Sequence, residues 1–225
     1  MEMTELDDQD KCEKMRVAQL QFIGKILSLF THQLNNHLAI IKDSVGFLDD
    51  LIKIKGQFKD DISEITNTMI EAEEQIEKAT VLSKRLNSFG HRMDNAFSTF
   101  SINDILDELL VLASRATIQK RLSFERDFSP DVPPIYSDPS KVHFLLFCLM
   151  ERFLKRMKAG GCIRVITKAK DQGCTVCFAV EDGICDSEEV WLCSDEVIEY
   201  AKSSLGCKTM ENNPNSITLF FEGMG

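Results

Sequence analysis

Apolar positions along residues 20–52 recur at steps of three, four or seven: Leu20, Ile23, Leu27, Phe30, Leu34, Ile41, Val45, Leu48 and Ile52. That spacing predicts one long amphipathic helix with a bundle seam, from about 13 to about 55, where Gly56 ends it. Residues before it are acidic and polar, and are expected to fray. A second stripe, Ile62, Ile65, Met69, Ala72, Ile76 and Ala79, predicts another long helix over about 58 to 93, with Glu71, Glu73, Glu74 and Glu77 on its other face. Two such helices joined by a short turn make an antiparallel hairpin. A lone hairpin leaves both stripes partly bare, so a homodimeric four-helix bundle held by residues 20–54 and 58–89 is expected.

The pattern changes after Phe97. Short strands are predicted at 97–101, 122–128, 162–168, 174–180 and 217–221, with helices at 103 to about 116 and about 139 to 158. A further helix, capped by Ser194, should end before Gly206. Pro130, Pro133 and Pro134 mark a loop, and Asp171 to Gly173 a turn. The fold class expected is α+β, with a helical hairpin over 13–96 and an α/β sandwich over 97–225.

Composition narrows the function. The chain has 225 residues, 44% hydrophobic and 28% charged, with a formal charge of −10. A chain this acidic is a poor general binder of nucleic acid, because phosphate contacts need clustered Lys and Arg, so no nucleic-acid partner is expected. No apolar run is long enough for a membrane span, and the acidic opening does not read as a signal peptide, so a cytoplasmic protein with no membrane partner is expected. Cys174 and Cys177 form the one CxxC, on a predicted strand where odd spacing sends them to opposite faces. No zinc site or other metal is expected, and the eight cysteines read as reduced, mostly buried thiols.

The chemistry concentrates in His32-Gln33-Leu34-Asn35-Asn36-His37-Leu38. With Leu27, Leu34, Ile41 and Leu48 at a positions, His32 falls at f, opposite the seam, and Asn35 and Asn36 follow at i+3 and i+4. An exposed imidazole can attack phosphorus, and a neighbouring carboxamide can orient a phosphoryl oxygen or a water. The small residues Gly24, Ala39 and Gly46 leave room for a partner helix. His37 falls at a d-like position and is expected to pack near the bundle. His91 and His143 lie outside any constellation and read as structural. Arg152, Lys155, Arg156 and Lys158 read as a solvated helix face.

This order of elements and motifs resembles a sensor histidine kinase core over about residues 15 to 222, a helical phosphotransfer hairpin followed by a GHKL-type ATPase-like domain. In that family the phosphoacceptor motif reads His-Glu-x-x-Asn/Thr-Pro-Leu. His32 matches the phosphoacceptor and Asn36 the polar residue four positions on. Gln33 replaces the acidic residue, and an amide cannot take a proton. His37 replaces the proline that kinks the helix. Residues 138–155 resemble the nucleotide-binding helix, but Cys148 and Arg152 stand at its two asparagine positions. A guanidinium offers no acceptor oxygen to Mg²⁺. The adenine motif survives only as Glu181-Asp182-Gly183-Ile184, and no glycine lies between Gly183 and Gly206, where the family has its phosphate loop. Trp191 is placed to fill the vacated pocket.

The combination resembles the dimeric histidine phosphotransferases built on a degenerate kinase core, the ChpT type and the sporulation phosphotransferase of bacilli. The resemblance implies a phosphorelay shuttle that uses no ATP and no other cofactor. A response-regulator receiver domain, which supplies its own Mg²⁺, would pass its phosphoryl group through His32. Asn36 would assist, and Gln33, Asn35 and Ala39 would meet the partner. Besides a kinase that binds nucleotide in an unorthodox way, two alternatives remain open at this point. One is a phosphatase in which Asn36 positions water, which would survive loss of His32. The other is a non-catalytic pseudokinase that only binds a regulator.

Overall fold

The computed structural model describes residues 2–55, 62–180 and 193–223. Gly56, Glu181 to Ile184 and Trp191, each given a role above, lie outside those residues.

Helix α1 (Glu2–Lys55) runs without a break through residues 32–38, and α2 (Ile62–Arg92) returns beside it. Phe22 meets Phe89 and His37 meets Gln75, as antiparallel helices require. The acidic opening is helical from Glu2 rather than frayed, which corrects the expectation drawn from composition. Just beyond it Met15 and Ala18 are buried, and Lys14 reaches Glu196 on α6 (Asp195–Ser204) at 3.2 Å.

The first helix carries two apolar stripes, not one. Met15, Ala18, Phe22 and Ile26 are buried within the chain, and Gln33 and Ser44 continue that face. The stripe read from the sequence lies about a third of a turn away. Leu20 is 69% exposed, and Leu27, Val45 and Ile52 are exposed with it. Ile23, Phe30 and Leu34 are half-buried at its edge. On α2, Ile62, Met69 and Ile76 are likewise exposed, while Leu82, Phe89 and Gln75 turn inward.

The second half begins with β1 (Ser98–Phe100), α3 (Ile102–Leu112), α4 (Ser114–Lys120) and β2 (Ser123–Phe128). Then come β3 (Ile135–Ser137), α5 (Pro139–Arg156), β4 (Cys162–Lys170), β5 (Gly173–Val180), α6, β6 (Lys208–Asn213) and β7 (Ser216–Glu222). The main sheet has the order β2-β4-β5-β7-β6, with β2 parallel to β4 and the other pairs antiparallel. A separate antiparallel pair joins β1 to β3. Alternate residues Ile163, Val165, Val176, Phe178, Leu219 and Phe221 bury one face of the sheet, and Phe153 of α5 stacks on Phe178. Asp138 and Ser194 cap α5 and α6 by accepting from Lys141 and Val197 backbone N–H groups.

The two halves share one core. Phe22 of α1 sits 5.7 Å from the Phe89 ring, 6.0 Å from Phe144 and 4.9 Å from Phe147, so the hairpin and α5 interlock through four aromatic rings. Polar bonds rim that joint. Arg92 grips buried Glu108 of α3 through both carboxylate oxygens at 2.9–3.1 Å, and His143 Nε2 lies 3.2 Å from the same carboxylate. The His143 Nδ1–H donates to the Pro139 carbonyl oxygen at 2.8 Å. Burial pushes the Glu108 carboxyl up, but hydrogen bonds from His143 and Arg92 outweigh it and hold the group below its usual range. Arg85 pairs with Asp107, and Lys25 with buried Glu151. His143 is therefore structural, as expected, but belongs to a constellation the sequence did not show.

Cys148 of α5 and Cys193, just before α6, form a disulfide across 6.1 Å between Cα atoms. This corrects the expectation of reduced thiols for that pair. The two residues are 45 positions apart, and only the packing of α6 against α5 brings them together. Cys174 and Cys207 are buried free thiols, and burial pushes each up to about 12.

Candidate phosphoacceptor site

Residues 32–39 lie mid-helix on α1, so helical geometry alone sets which side chains share a face. His32, Asn35, Asn36 and Ala39 are exposed, and His37 is half-buried with Nδ1 2.7 Å from Gln75 Oε1. Gly24 and Gly46 stand on the same open side, and a Cβ added at either would meet nothing within 4 Å. Exposure of His32 agrees with its f position.

Gln33 does not. Its side chain is 8% exposed and its Nε2 donates to Ser114 Oγ, which donates in turn to the Val111 carbonyl oxygen at 2.8 Å. It is turned into the joint between α1 and the α3–α4 corner, away from any docking partner, and this corrects its expected place at the interface. The heptad places position 33 beside the inward stripe that begins with Met15, a stripe hidden in the sequence by its own polar member.

The structure adds a residue that sequence reading missed. Arg115, on α4, brings Nη2 to 3.2 Å from His32 Nε2. A guanidinium only donates, so Nε2 is the acceptor and its lone pair faces Arg115, with the ring proton on Nδ1. With the Asn36 amide oriented by the same network, its Oδ1 accepts from Arg115 Nη1 at 2.7 Å and its Nδ2 donates to the His32 carbonyl oxygen at 3.3 Å. His32, Asn36 and Arg115 thus form one polar cluster on an open surface. The corner that delivers Arg115 is firm. Ala113 is fully buried between α3 and α4, and Thr117 Oγ1 donates to the Ser114 carbonyl oxygen. Arg121 ends α4 in the left-handed region at φ 53°.

On the helix whose sequence resembles a nucleotide-binding helix, Cys148 and Arg152 are both engaged within the chain, Cys148 in the disulfide. Arg152 pairs with Asp195 and reaches the Cys193 carbonyl oxygen at 3.4 Å. Leu149, Arg152, Phe153, Arg156, Ile198 and Lys202 are among the residues lining a cavity of about 230 Å³. Such a space is below the range of about 300–1,000 Å³ typical of sites for drug-sized ligands. The expected solvated basic face is only partly so, since Lys155 pairs with Glu151.

The chain is similar in sequence to sensor histidine kinases. It is 23% identical over 178 residues to sporulation kinase E of Bacillus subtilis (strain 168), covering 79% of this chain and 23% of that protein. It is 23% identical over 184 residues to the signal transduction histidine-protein kinase AtoS of Escherichia coli (strain K12), covering 76% and 29%. The chain thus spans less than a third of either relative. No family model matches it. Among solved structures, the histidine kinase AdeS of Acinetobacter baumannii superposes with a TM-score of 0.47 at 16% identity, over 86% of this chain and 98% of that one. The histidine kinase ThkA in complex with the response regulator TrrA gives 0.46 at 16%, over 96% and 66%. No helix among the described residues is long and apolar enough to cross a membrane.

Proposed function

We propose that this chain is a histidine phosphotransferase of a two-component phosphorelay. His32 takes a phosphoryl group from one response-regulator receiver domain and gives it to another, and ATP is not used. The observation that carries this reading is the exposed His32 imidazole, its Nε2 lone pair held in a polar cluster beside Asn36 and Arg115. The lone pair attacks the phosphorus of the receiver's aspartyl phosphate. An N–P bond forms as the P–O bond breaks, and the aspartate carboxylate leaves with the electron pair. The acyl phosphate is already activated, so no local acid is needed, and the inward turn of Gln33 is consistent with that. The ion pair at Arg152 and the small cavity beside it support a domain that has given up nucleotide.

The active form in this reading is a cytoplasmic homodimer with a phosphotransfer hairpin over 13–96 and a degenerate ATPase-like domain over 97–225. Leu20, Leu27, Val45 and Ile52 with Ile62, Met69 and Ile76 form the stripe that a second copy would cover. Its position, away from His32, leaves the imidazole open in a four-helix bundle. Asn35 and Ala39 lie on the face left to the receiver.

Incubating the protein with phosphorylated receiver domains tests the proposal. Acid-labile label should appear on the wild type and be absent from His32→Ala. Dephosphorylation of the receiver by His32→Ala, with no labelled intermediate in either protein, would replace the shuttle with a phosphatase. A protein that neither accepts nor releases phosphate would be a binding module.

A further inference from the structure

We propose that Arg115 is a catalytic residue of this site, and that the α/β domain is retained because it carries that guanidinium to His32. The inference rests on His32 being the phosphoryl carrier. Arg115 is 83 positions from His32 and on a different element, yet its two terminal nitrogens divide between His32 Nε2, at 3.2 Å, and Asn36 Oδ1, at 2.7 Å. Both targets are groups that a transferred phosphoryl would sit against. A planar guanidinium presents paired N–H donors that match phosphate oxygens, which a point charge does not do as well. In the free protein Nη2 covers the lone pair and keeps the proton on Nδ1, so the nucleophilic nitrogen is bare of hydrogen before a donor arrives. When phosphorus reaches Nε2, the guanidinium moves from the ring to the non-bridging oxygens and neutralises charge there, with Asn36 as its second anchor. The N–P bond forms, the donor's leaving group departs with its electron pair, and the imidazole keeps its Nδ1 proton.

The placement is built, not incidental. Ser114, next to Arg115, bonds Gln33, next to His32, so α1 and α4 are pinned one residue from the cluster. The aromatic joint of Phe22, Phe89, Phe144 and Phe147 and the Arg92–Glu108–His143 network hold the rest of the domain on the hairpin. A domain stripped of nucleotide chemistry would then still have work at the phosphoacceptor.

Phosphoramidate, which phosphorylates imidazoles without any partner protein, gives a test independent of the receivers. His91 is exposed and lies near Asp94, with no arginine bonded to its ring among the described residues, and serves as the internal reference. The rate of phosphorylation at His32 relative to His91 should fall by about 10- to 100-fold in Arg115→Ala, the loss expected for a charge-assisted pair on phosphate. Arg115→Lys should recover only part of it. Arg115→Gln keeps the side-chain stem and controls for folding, and should behave like alanine. The ¹⁵N spectrum of His32 supplies a readout that packing alone would not move: the Nδ1–H tautomer should dominate in the wild type and lose ground to the Nε2–H form in both Arg115→Ala and Arg115→Gln. A His32 to His91 ratio unchanged within twofold in a folded Arg115 variant would overturn the inference. So would a wild-type His32 that stays unlabelled while His91 reacts, because Arg115 would then obstruct the ring. Neither result touches the transfer from receivers, which fails only if they leave no label on His32.

Discussion

Replacing Phe22 with alanine tests how the two halves are joined. The ring is 1% exposed and touches three others, from α2 and from two positions of α5. Phe→Ala in a core costs about 3–5 kcal/mol, the transfer of the ring plus the cavity it leaves. Here the walls are three rigid helices that cannot collapse into the space, and each aromatic pair adds about 0.5–1.5 kcal/mol beyond its burial. The expected cost is therefore at the upper end, about 4–5 kcal/mol. Urea unfolding with an unchanged slope would measure it. Phe22→Leu, which keeps most of the volume, should cost about 1.5 kcal/mol or a little more. Amide exchange in α5 should accelerate in the alanine variant, since Phe144 and Phe147 lose their seat. A cost under about 2 kcal/mol, with α5 still fully protected, would show that the domain is not anchored through this ring.

Glu108→Gln leaves Arg92 and His143 facing an amide and should destabilise by about 3–5 kcal/mol at neutral pH, read by denaturant titration. Because the folded carboxyl sits below its ordinary value, its contribution is complete above about pH 4.3 and is lost as the pH falls through the lower folded value, so wild type and variant should converge in acid. Leu27→Glu, at a position already exposed in one chain, should leave the helices folded by circular dichroism but yield a monomer by light scattering; a dimer would place the interface elsewhere. Iodoacetamide at pH 8 should modify exposed Cys162 and spare Cys174 and Cys207, whose thiols are pushed up to about 12, and labelling of the buried pair in the native state would refute that burial.

Much of the fold was legible because period and punctuation agree. Alternation in β4 and β5 with the turn at Asp171, and the cap at Ser194, fall where the sequence places them. Two strands were missed. β3 follows Pro133 and Pro134, and β6 reads as polar, since five of its six residues are hydrophilic or neutral and it pairs only at an edge. The expected helix from 103 to 116 breaks at Ala113 into α3 and α4, a corner no local residue announces. That corner matters most, because it delivers Arg115. The His32 motif was readable since its members are neighbours on one helix turn. Arg115, the Cys148–Cys193 link and the inward face holding Gln33 depend on contacts between distant segments, which periodicity does not record.

Phosphate on His32 is the most direct test of the account. A ³²P-labelled receiver domain mixed with the wild type should transfer label to this chain, the label should be stable in base and lost in acid, and peptide mapping should place it on His32. A second receiver should then remove it, while His32→Ala takes up none. Label on another residue, or transfer between two receivers sustained by His32→Ala, would contradict it.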